Sequence, residues 1–305
     1  MTKKVLVLMS TYNGEKYLEE QINSILNQEK VEVELLIRDD GSTDSTVSII
    51  EKRKEKESAI DYYIGTNKGP AQSFLDLMEK VDLSKNYDYY ALSDQDDYWL
   101  PDKLYSAICQ LDRIEEDMPC LYYSTAKLVD THLNPIISQR MVHVVSNTFS
   151  QAAICSNAIG CSMCFNKKLL ELVRQYHPNY VMMHDGWIHK LCLAMNGRVV
   201  YDETPHILYR QHNSNVIGGT TNLKKQINNR IQSLTKKRHV RQKMLLELYN
   251  GYKDLLPPEN KYLCELYITY NTNIRNKVKL LRRKTKLQNK RVYLMYKLSL
   301  ILNVF

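Results

Sequence analysis

Two apolar rhythms alternate through the first hundred residues. Short, nearly continuous apolar runs at 5–10, 33–38, 60–64 and 89–92 read as strands buried on both faces. Between them, residues 15–27 carry Tyr17, Leu18, Ile22, Ile25 and Leu26 at helical spacing, and residues 71–80 turn Phe74, Leu75 and Met78 inward. A further helix, 45–56, begins on a Ser/Thr/Asp-rich segment suited to capping it. Gly65, Asn67, Gly69 and Pro70 make the turn after the third strand. This β-α-β-α-β-α-β order predicts a mostly parallel sheet with helices on both faces. Such sheets bind ligands beyond the carboxyl ends of their strands. Three polar clusters fall at those ends: Ser10-Thr11-Tyr12-Asn13, Asp39-Asp40-Gly41-Ser42, and Ser93 to Asp97.

The pattern loosens after a helix that starts near Pro101. Residues 121–129 read as a strand, 168–175 and 186–195 as helices, and 198–201 and 206–209 as short strands. Long helical patterns then cover 226–252 and 259 to the end, interrupted at Pro257-Pro258. Charge divides the chain at the same place. Residues 220–305 hold 20 Lys/Arg against 4 Asp/Glu, whereas residues 1–219 hold 22 against 30. Opposite balances imply two jobs.

Bulk properties narrow the classes. With 305 residues, 44% hydrophobic and 25% charged, the chain builds one large core, or one domain with an appendage. Its longest apolar stretches, 5–9 and 298–305, fall far short of the ~20 residues that cross a bilayer. The start, Met-Thr-Lys-Lys and five apolar residues, lacks the long apolar stretch of a signal peptide. Seven scattered cysteines are not a disulfide framework, so a reducing cytoplasm is expected. Cys161 and Cys164 have CxxC spacing but lie in an apolar run, where cysteine packs as a small hydrophobe.

The chemistry-bearing cluster is Asp94-Gln95-Asp96-Asp97, directly after the fourth strand. Carboxylates gathered there repel one another and raise their own pKa values unless a cation sits among them. Oxygen ligands of this kind suit Mg²⁺ or Mn²⁺. The plainer alternative is a solvated acidic turn that caps the next helix.

Taken together, the clusters resemble the family 2 glycosyltransferases, inverting nucleotide-sugar transferases of GT-A fold. The resemblance is carried by Ser10-Thr11-Tyr12-Asn13-Gly14 with Tyr17-Leu18, and by Asp39-Asp40-Gly41-Ser42-Thr43-Asp44. It continues through Asp94-Gln95-Asp96-Asp97 with Trp99-Leu100-Pro101 and Leu104, His184-Asp185, and Tyr209-Arg210-Gln211-His212-Asn213-Ser214-Asn215. It implies a catalytic domain over 1–219, with a nucleotide-sugar half at about 1–100 and an acceptor half at about 101–219, followed by a basic helical region, 220–305. By the same resemblance Thr11, Tyr12, Asn13, Asp40, Asp94 and Gln95 contact the nucleotide. Of Asp39 and Asp40, one reads the pyrimidine and either caps the following helix; Asp40 is the expected reader. Asp94 and Asp96 match the family's metal pair, with His212 a further contact to Mn²⁺ or Mg²⁺. Arg210 pairs with phosphate or holds its loop. Asp185 matches the catalytic base, although an Asp at a helix start is often only a cap. Trp187, Gly160 and Cys161 are the expected acceptor pocket, with a core role open for Trp187.

His184 stands where relatives often carry Glu, and resembles a bacterial subgroup associated with polysaccharide rhamnosyl transfer, as does Ser-Asp-Gln-Asp-Asp at 93–97. The resemblance thus implies transfer of L-rhamnose from dTDP-rhamnose to a lipid-linked or glycan acceptor, with a UDP-hexose or UDP-HexNAc donor as the alternative. Two readings of other classes are a sugar-phosphate nucleotidyltransferase and a non-catalytic membrane-bound adaptor. The first usually has a Gly-rich phosphate loop where this chain has Ser10-Thr11-Tyr12-Asn13-Gly14, and the intact Asp94, Asp96 and Asp185 argue against the second. Lys236-Lys237-Arg238, Arg241, Lys243 and the basic run 275–291, interleaved with Leu280, Leu281, Tyr293, Leu294, Tyr296, Leu298 and Ile301, read as a helix in the inner membrane interface. Packing on the catalytic domain or on a second subunit is the alternative. No recognition motif accompanies the charge, so nucleic acid is not expected.

Overall fold

The structure is a computed structural model, and it describes residues 2–115, 117–136, 145–212 and 239–305. Its elements run β1 (Lys3–Thr11), α1 (Leu18–Leu26), β2 (Val31–Asp39), α2 (Thr46–Lys56), β3 (Ile60–Ile64), α3 (Gly69–Lys80) and β4 (Tyr89–Ser93). There follow β5 (Tyr98–Trp99), α4 (Lys103–Leu111), β6 (Cys120–Ser124), β7 (Lys127–Val129), α5 (Phe149–Ala152), β8 (Cys164–Asn166), α6 (Lys167–Arg174), α7 (His184–Ala194), β9 (Arg198–Asp202) and β10 (Ile207–Arg210). Four helices complete the described chain: α8 (Val240–Tyr252), α9 (Pro258–Thr269), α10 (Ile274–Arg282) and α11 (Lys290–Ile301).

Seven strands form one sheet in the order β3-β2-β1-β4-β8-β6-β9. The first four are parallel, as their alternation with helices predicts, and β8 is antiparallel to both its neighbours. Period-two geometry splits each central strand between two cores. In β1, Val5, Val7 and Met9 pack with Leu35, Ile37 and Ile22, while Leu6 and Leu8 face Phe74, Met78 and Trp187. Tyr89 and Ala91 of β4 join the first group, and Tyr90 and Leu92 the second. Because both faces are covered, the open part of these strands is their carboxyl ends.

The expected strand 121–129 is in fact two strands in two sheets. β6 stays in the large sheet, and β7 pairs with β10 in a small sheet, β5-β10-β7, beside the carboxyl end of β4. That small sheet brings Arg210 and His212 toward the Asp94–Asp97 segment. The Ser/Thr/Asp-rich start of α2 does hold its first turn: Asp44 accepts the N–H of Thr46 at 3.0 Å, whereas Ser45 makes no side-chain cap.

The basic helices do not stand apart. Leu245, Leu248, Tyr252, Leu263 and Tyr267 belong to the same core as Leu6 and Trp187. Of the expected basic features, Lys236-Lys237-Arg238, the start of the 226–252 helical pattern and the 219/220 boundary lie outside the described residues. Among the described residues no helix is long and apolar enough to cross a membrane. All seven cysteines are free.

Candidate functional site

The carboxyl ends of β1, β2 and β4, the first turn of α7 and the strand end after β10 enclose a cleft of about 1020 Å³. Tyr12, Asn13, Asp40, Asp94, Gln95, Asp96, Gly160, Asp185 and His212, all expected at the site, line it. Lys16, Tyr17, Met183, His184 and Tyr209 line it as well.

One side is knit by hydrogen bonds. Asn13 adopts a left-handed backbone (φ 49°), donates its N–H to Ser42 Oγ at 2.9 Å, and accepts the N–H of Thr43 on its side-chain oxygen at 2.9 Å. Gly14 donates to Thr46 Oγ1 at 2.7 Å. The amide of Gln95 clasps the backbone of Tyr12, accepting its N–H at 2.8 Å and donating to its carbonyl at 3.0 Å. Gly14 makes room for that clasp, since a Cβ there would sit 2.2 Å from Gln95 Oε1.

Asp39 and Asp40 divide their labour. Asp39 is fully buried and accepts from the N–H groups of Gly41 and Ser42 and from Thr11 Oγ1, so it shapes the loop. Asp40 reaches the cleft. It pairs with Arg38 and accepts the N–H groups of Lys68 at 2.8 Å and Gly69 at 2.9 Å. Arg38 is buried too and also meets Asp76 at 3.1 Å, Ser73 at 2.8 Å and the carbonyl of Thr66 at 2.9 Å. Burial pushes Asp76 up, but Lys68, Tyr63 and Arg38 outweigh it and hold the carboxyl down to about 2. Arg38 escaped the sequence reading; its signal was a lone cation ending an apolar strand, where no unpaired charge belongs.

The opposite side is electrostatically strained. Burial, then Asp96 and Asp185, raise Asp94 to about 7. Asp97 has no exposed surface and is pushed well above the ordinary carboxylate range by burial, Asp96 and Asp94. One of its oxygens accepts the N–H of Arg210 at 3.3 Å, and the other has no hydrogen-bond partner. Asp94, Asp97 and Cys161 bring ligand atoms within 4.8 Å of one another. Asp96 meets His212, Nε2 to Oδ2, at 2.7 Å. The carboxylates, unlike the buried Cys161 thiol, are donor chemistry for a hard divalent cation, and such a charge would relieve their repulsion. Asp94 and Asp96 face the cleft, while Asp97 and Cys161 lie beneath it.

Asp185 stands alone on its helix. Every other residue of α7 is buried, and Asp185 keeps its surface toward the cleft. It is not the helix cap, a place taken by Met183. Burial raises it to about 6 against the opposing pull of the Gly186 N–H, Lys190 and the Gly160 N–H. Its neighbour His184 is held neutral, its pKa depressed by burial to about 3, with its ring 3.9 Å from that of Phe74. Only a glycine at 160 permits this, because a Cβ there would lie 2.5 Å from His184 Nε2.

Three expectations are corrected, and a fourth residue takes one of its two expected roles. Thr11 is buried and bonded to Asp39 and the Arg38 carbonyl rather than open to a nucleoside. Cys161 is buried under the carboxylates and lines no acceptor pocket. Trp187 has no exposed surface and packs with Tyr252 at 6.3 Å between ring centroids, so its core role prevails. Arg210 is buried, and its guanidinium binds Glu20 and the carbonyls of Asp96 and Thr131, the second of its two expected roles. Strand ends and helices buried all round carry no periodic sign of which residue faces the ligand. Asn213, Ser214 and Asn215 lie outside the described residues.

Comparison with known proteins identifies the family and the fold. The sequence model of the family described as Glycosyl transferase family 2 matches residues 6–173. The dTDP-rhamnosyl transferase RfbG of Shigella flexneri is 31% identical over 229 residues, which cover 71% of this chain and 75% of that one. The structure of Staphylococcus aureus TarS residues 1–349 in complex with UDP-GlcNAc superposes with a TM-score of 0.59 at 18% identity, covering 99% of this chain and 82% of that one. A mannosyltransferase from Pyrobaculum calidifontis in complex with GDP-Man and Mn²⁺ does so with a TM-score of 0.52 at 16% identity, covering 99% and 80%. These two likenesses establish the fold as GT-A.

Proposed function

We propose a reaction for this chain, which belongs to glycosyl transferase family 2 and is a glycosyltransferase. It transfers L-rhamnose from dTDP-rhamnose, with inversion, to a lipid-linked or glycan acceptor in bacterial surface polysaccharide synthesis. The observation that carries the reading is a single one. The lone open residue of α7, Asp185, and the β4 carboxylates Asp94 and Asp96 face each other across one cleft. The donor assignment leans on the likeness to the Shigella flexneri rhamnosyl transferase. A UDP-HexNAc donor is the second reading, supported by the TarS complex.

In this reading Tyr12, Asn13 and Asp40 hold the nucleoside. Asp40 Oδ2 accepts one N–H, that of Gly69, and keeps a lone pair for the imide N–H of a pyrimidine. Asp94 and Asp96, with His212 beside them, would hold the divalent cation, which when bound supplies Lewis-acid neutralisation of the diphosphate. Asp185 takes the proton of the acceptor hydroxyl while that oxygen bonds to the anomeric carbon from the face opposite the diphosphate. The anomeric C–O bond breaks, and its electron pair leaves with the nucleoside diphosphate. A base near pKa 6 is half-tuned for this work, because general bases act best with pKa values close to the operating pH. Lys190, one turn along α7 from Gly186, favours the ionised form.

The test is donor turnover across a panel of dTDP- and UDP-sugars, with Mn²⁺, with Mg²⁺ and with chelator. Turnover of dTDP-rhamnose above the others, lost on chelation, is expected. Preference for a UDP-sugar would overturn the donor, and equal turnover with chelator would overturn the metal.

A further inference from the structure

α11 has two faces, and the fold accounts for one. Tyr296, Ser299 and Leu300 are buried against the rest of the protein. The segment after the helix is pinned: Phe305 stacks on Tyr267 at 4.7 Å between ring centroids, and its N–H donates to the Tyr270 hydroxyl at 3.0 Å. Two lysines tie α10 and α11 to each other. Lys297 donates to the carbonyls of Leu280, Leu281 and Arg283 at 2.9, 2.8 and 2.8 Å, and Lys277 to the carbonyl of Ile301 at 2.9 Å. Each ammonium satisfies last-turn carbonyls that a helix cannot satisfy itself.

The outward face of this pinned helix is apolar. Leu294, Met295, Leu298, Ile301 and Leu302 are exposed, between 38% and 69% each. Offsets of one, four, seven and eight residues put them on one stripe. Ile274, one turn before Lys277, is as bare as Leu294. Isolated apolar residues on a surface need no explanation, but a continuous stripe on a rigid element does. Leu280 and Tyr296, which the sequence placed among the membrane-facing residues, are buried instead, so the structure selects a different set.

Charge says what covers the stripe. Residues 266–305 contain ten Lys/Arg and no Asp/Glu. Arg275, Lys279, Arg282, Lys284, Lys290 and Arg291 among them are exposed. A second copy of the chain would set this rim against itself, at a cost in like-charge repulsion. A nucleic acid would neutralise the charge and leave the stripe wet.

We propose that α10 and α11 form a docking face for an anionic lipid bilayer, the stripe entering the interface and the cations meeting headgroup phosphates. The face rests on the transferase reading only for its purpose, which is to meet a lipid-linked acceptor. The link between α10 and α11 is bonded to α5, Gln151 Nε2 to the Lys286 carbonyl at 2.6 Å, and α5 packs on α7, which carries Asp185. Docking thereby fixes the orientation of the Asp185 side of the cleft to the bilayer.

The experiment is co-sedimentation of the full chain with phosphatidylcholine vesicles, with and without phosphatidylglycerol, at low and high salt, in the absence of sugar nucleotide. Two variants are compared: Leu294→Glu with Leu298→Glu, and Lys290→Glu with Arg291→Glu. Wild-type protein is expected in the pellet only with phosphatidylglycerol and less so at high salt, and each variant about tenfold or more weaker. Donor turnover in solution stays at the wild-type rate in both variants. Wild-type protein left in the supernatant, or a stripe variant that binds as tightly, overturns the proposal. So does light scattering that shows the stripe holding two copies together while vesicle binding is unaffected. Sedimentation itself depends on neither donor nor metal, so docking and transfer fail separately.

Discussion

Two aspartate clusters end strands on either side of β1, and their surroundings are opposite. At the end of β2, Asp39 and Asp40 are already surrounded by donors: Arg38, Thr11 and four backbone N–H groups, with one lone pair of Asp40 left toward the cleft. At the end of β4, Asp94 and Asp97 are pushed up by burial and by each other's neighbours, and one Asp97 oxygen has no partner. The same residue type does two physical jobs. The first cluster is finished without a ligand and preorganises a recognition surface; the second is complete only when positive charge arrives. Asp185 belongs electrostatically with the second: burial raises it as it raises Asp94, and its charge is among those that push Asp94 up.

The largest effect should come from that second side. Asp185→Asn removes the proposed proton acceptor without changing shape, and loss of a general base costs about 10²- to 10⁴-fold in rate. Asp96→Ala should likewise abolish transfer. Steady-state kcat for both is expected to collapse while circular dichroism and the thermal midpoint stay near wild type. Near-normal turnover by either variant would refute its role.

Stability should separate the clusters in the opposite direction. Asp40→Ala leaves Arg38 buried with one partner fewer, and breaking such a pair costs about 3 kcal/mol or more. Asp94→Asn should do the reverse in metal-free protein. The folded pKa of Asp94, about 7, lies above the ordinary carboxylate value, so its ionisation opposes folding increasingly as pH rises toward 7. Removing that charge is expected to raise the thermal midpoint at pH 8, and to remove any further rise on adding Mn²⁺. Denaturant titration at pH 8 decides the matter. If Asp40→Ala and Asp94→Asn destabilise equally, the contrast between the clusters is wrong.

A pH profile gives a smaller effect with a defined sign. Asp185 must be ionised to act, and its pKa is raised to about 6. The rate should be level above pH 7 and fall about tenfold for each unit below 6. The test is kcat/KM between pH 3.5 and 8 at saturating metal, with a break near 4 marking an unperturbed carboxylate instead.

How much of this was legible beforehand follows from where periodicity speaks. The strands and helices up to β4 were readable because the central strands β1 and β4 are buried on both faces and helices alternate with strands, and even the half-exposed edge strand β3 falls at the expected 60–64. β8 was not, since three residues inside an apolar run give no period. The break between β6 and β7 at Thr125-Ala126 was missed because a continuous apolar pattern does not say that its two halves join different sheets. In the cleft, Asp94, Asp96, Asp185 and His212 were found by motif. Trp187 and Cys161 were misplaced because α7 is buried all round and the turn 160–162 is fully buried, so neither shows an amphipathic face. The partners that decide behaviour, Arg38 for Asp40 and Glu20 for Arg210, are set by tertiary approach that no local pattern records.

The smallest predicted effect tests whether the saturated side works as a unit. Gly14→Ala puts a methyl group 2.2 Å from Gln95 Oε1, and that amide is the flexible partner, so it must swing away. The clasp on Tyr12 then opens, losing bonds of 2.8 and 3.0 Å that water partly replaces. A net loss of about 0.5–1.5 kcal/mol is expected for such hydrogen bonds. If the clasp serves only to set Tyr12 for the nucleoside, the donor KM should rise about three- to tenfold with kcat unchanged, since Asp185 and the β4 carboxylates are untouched. A fall in kcat with constant KM would mean instead that Gln95 positions Asp94 and Asp96, its neighbours in the chain. The line between a finished recognition side and an unfinished chemical side would then have to be redrawn through Gln95 itself.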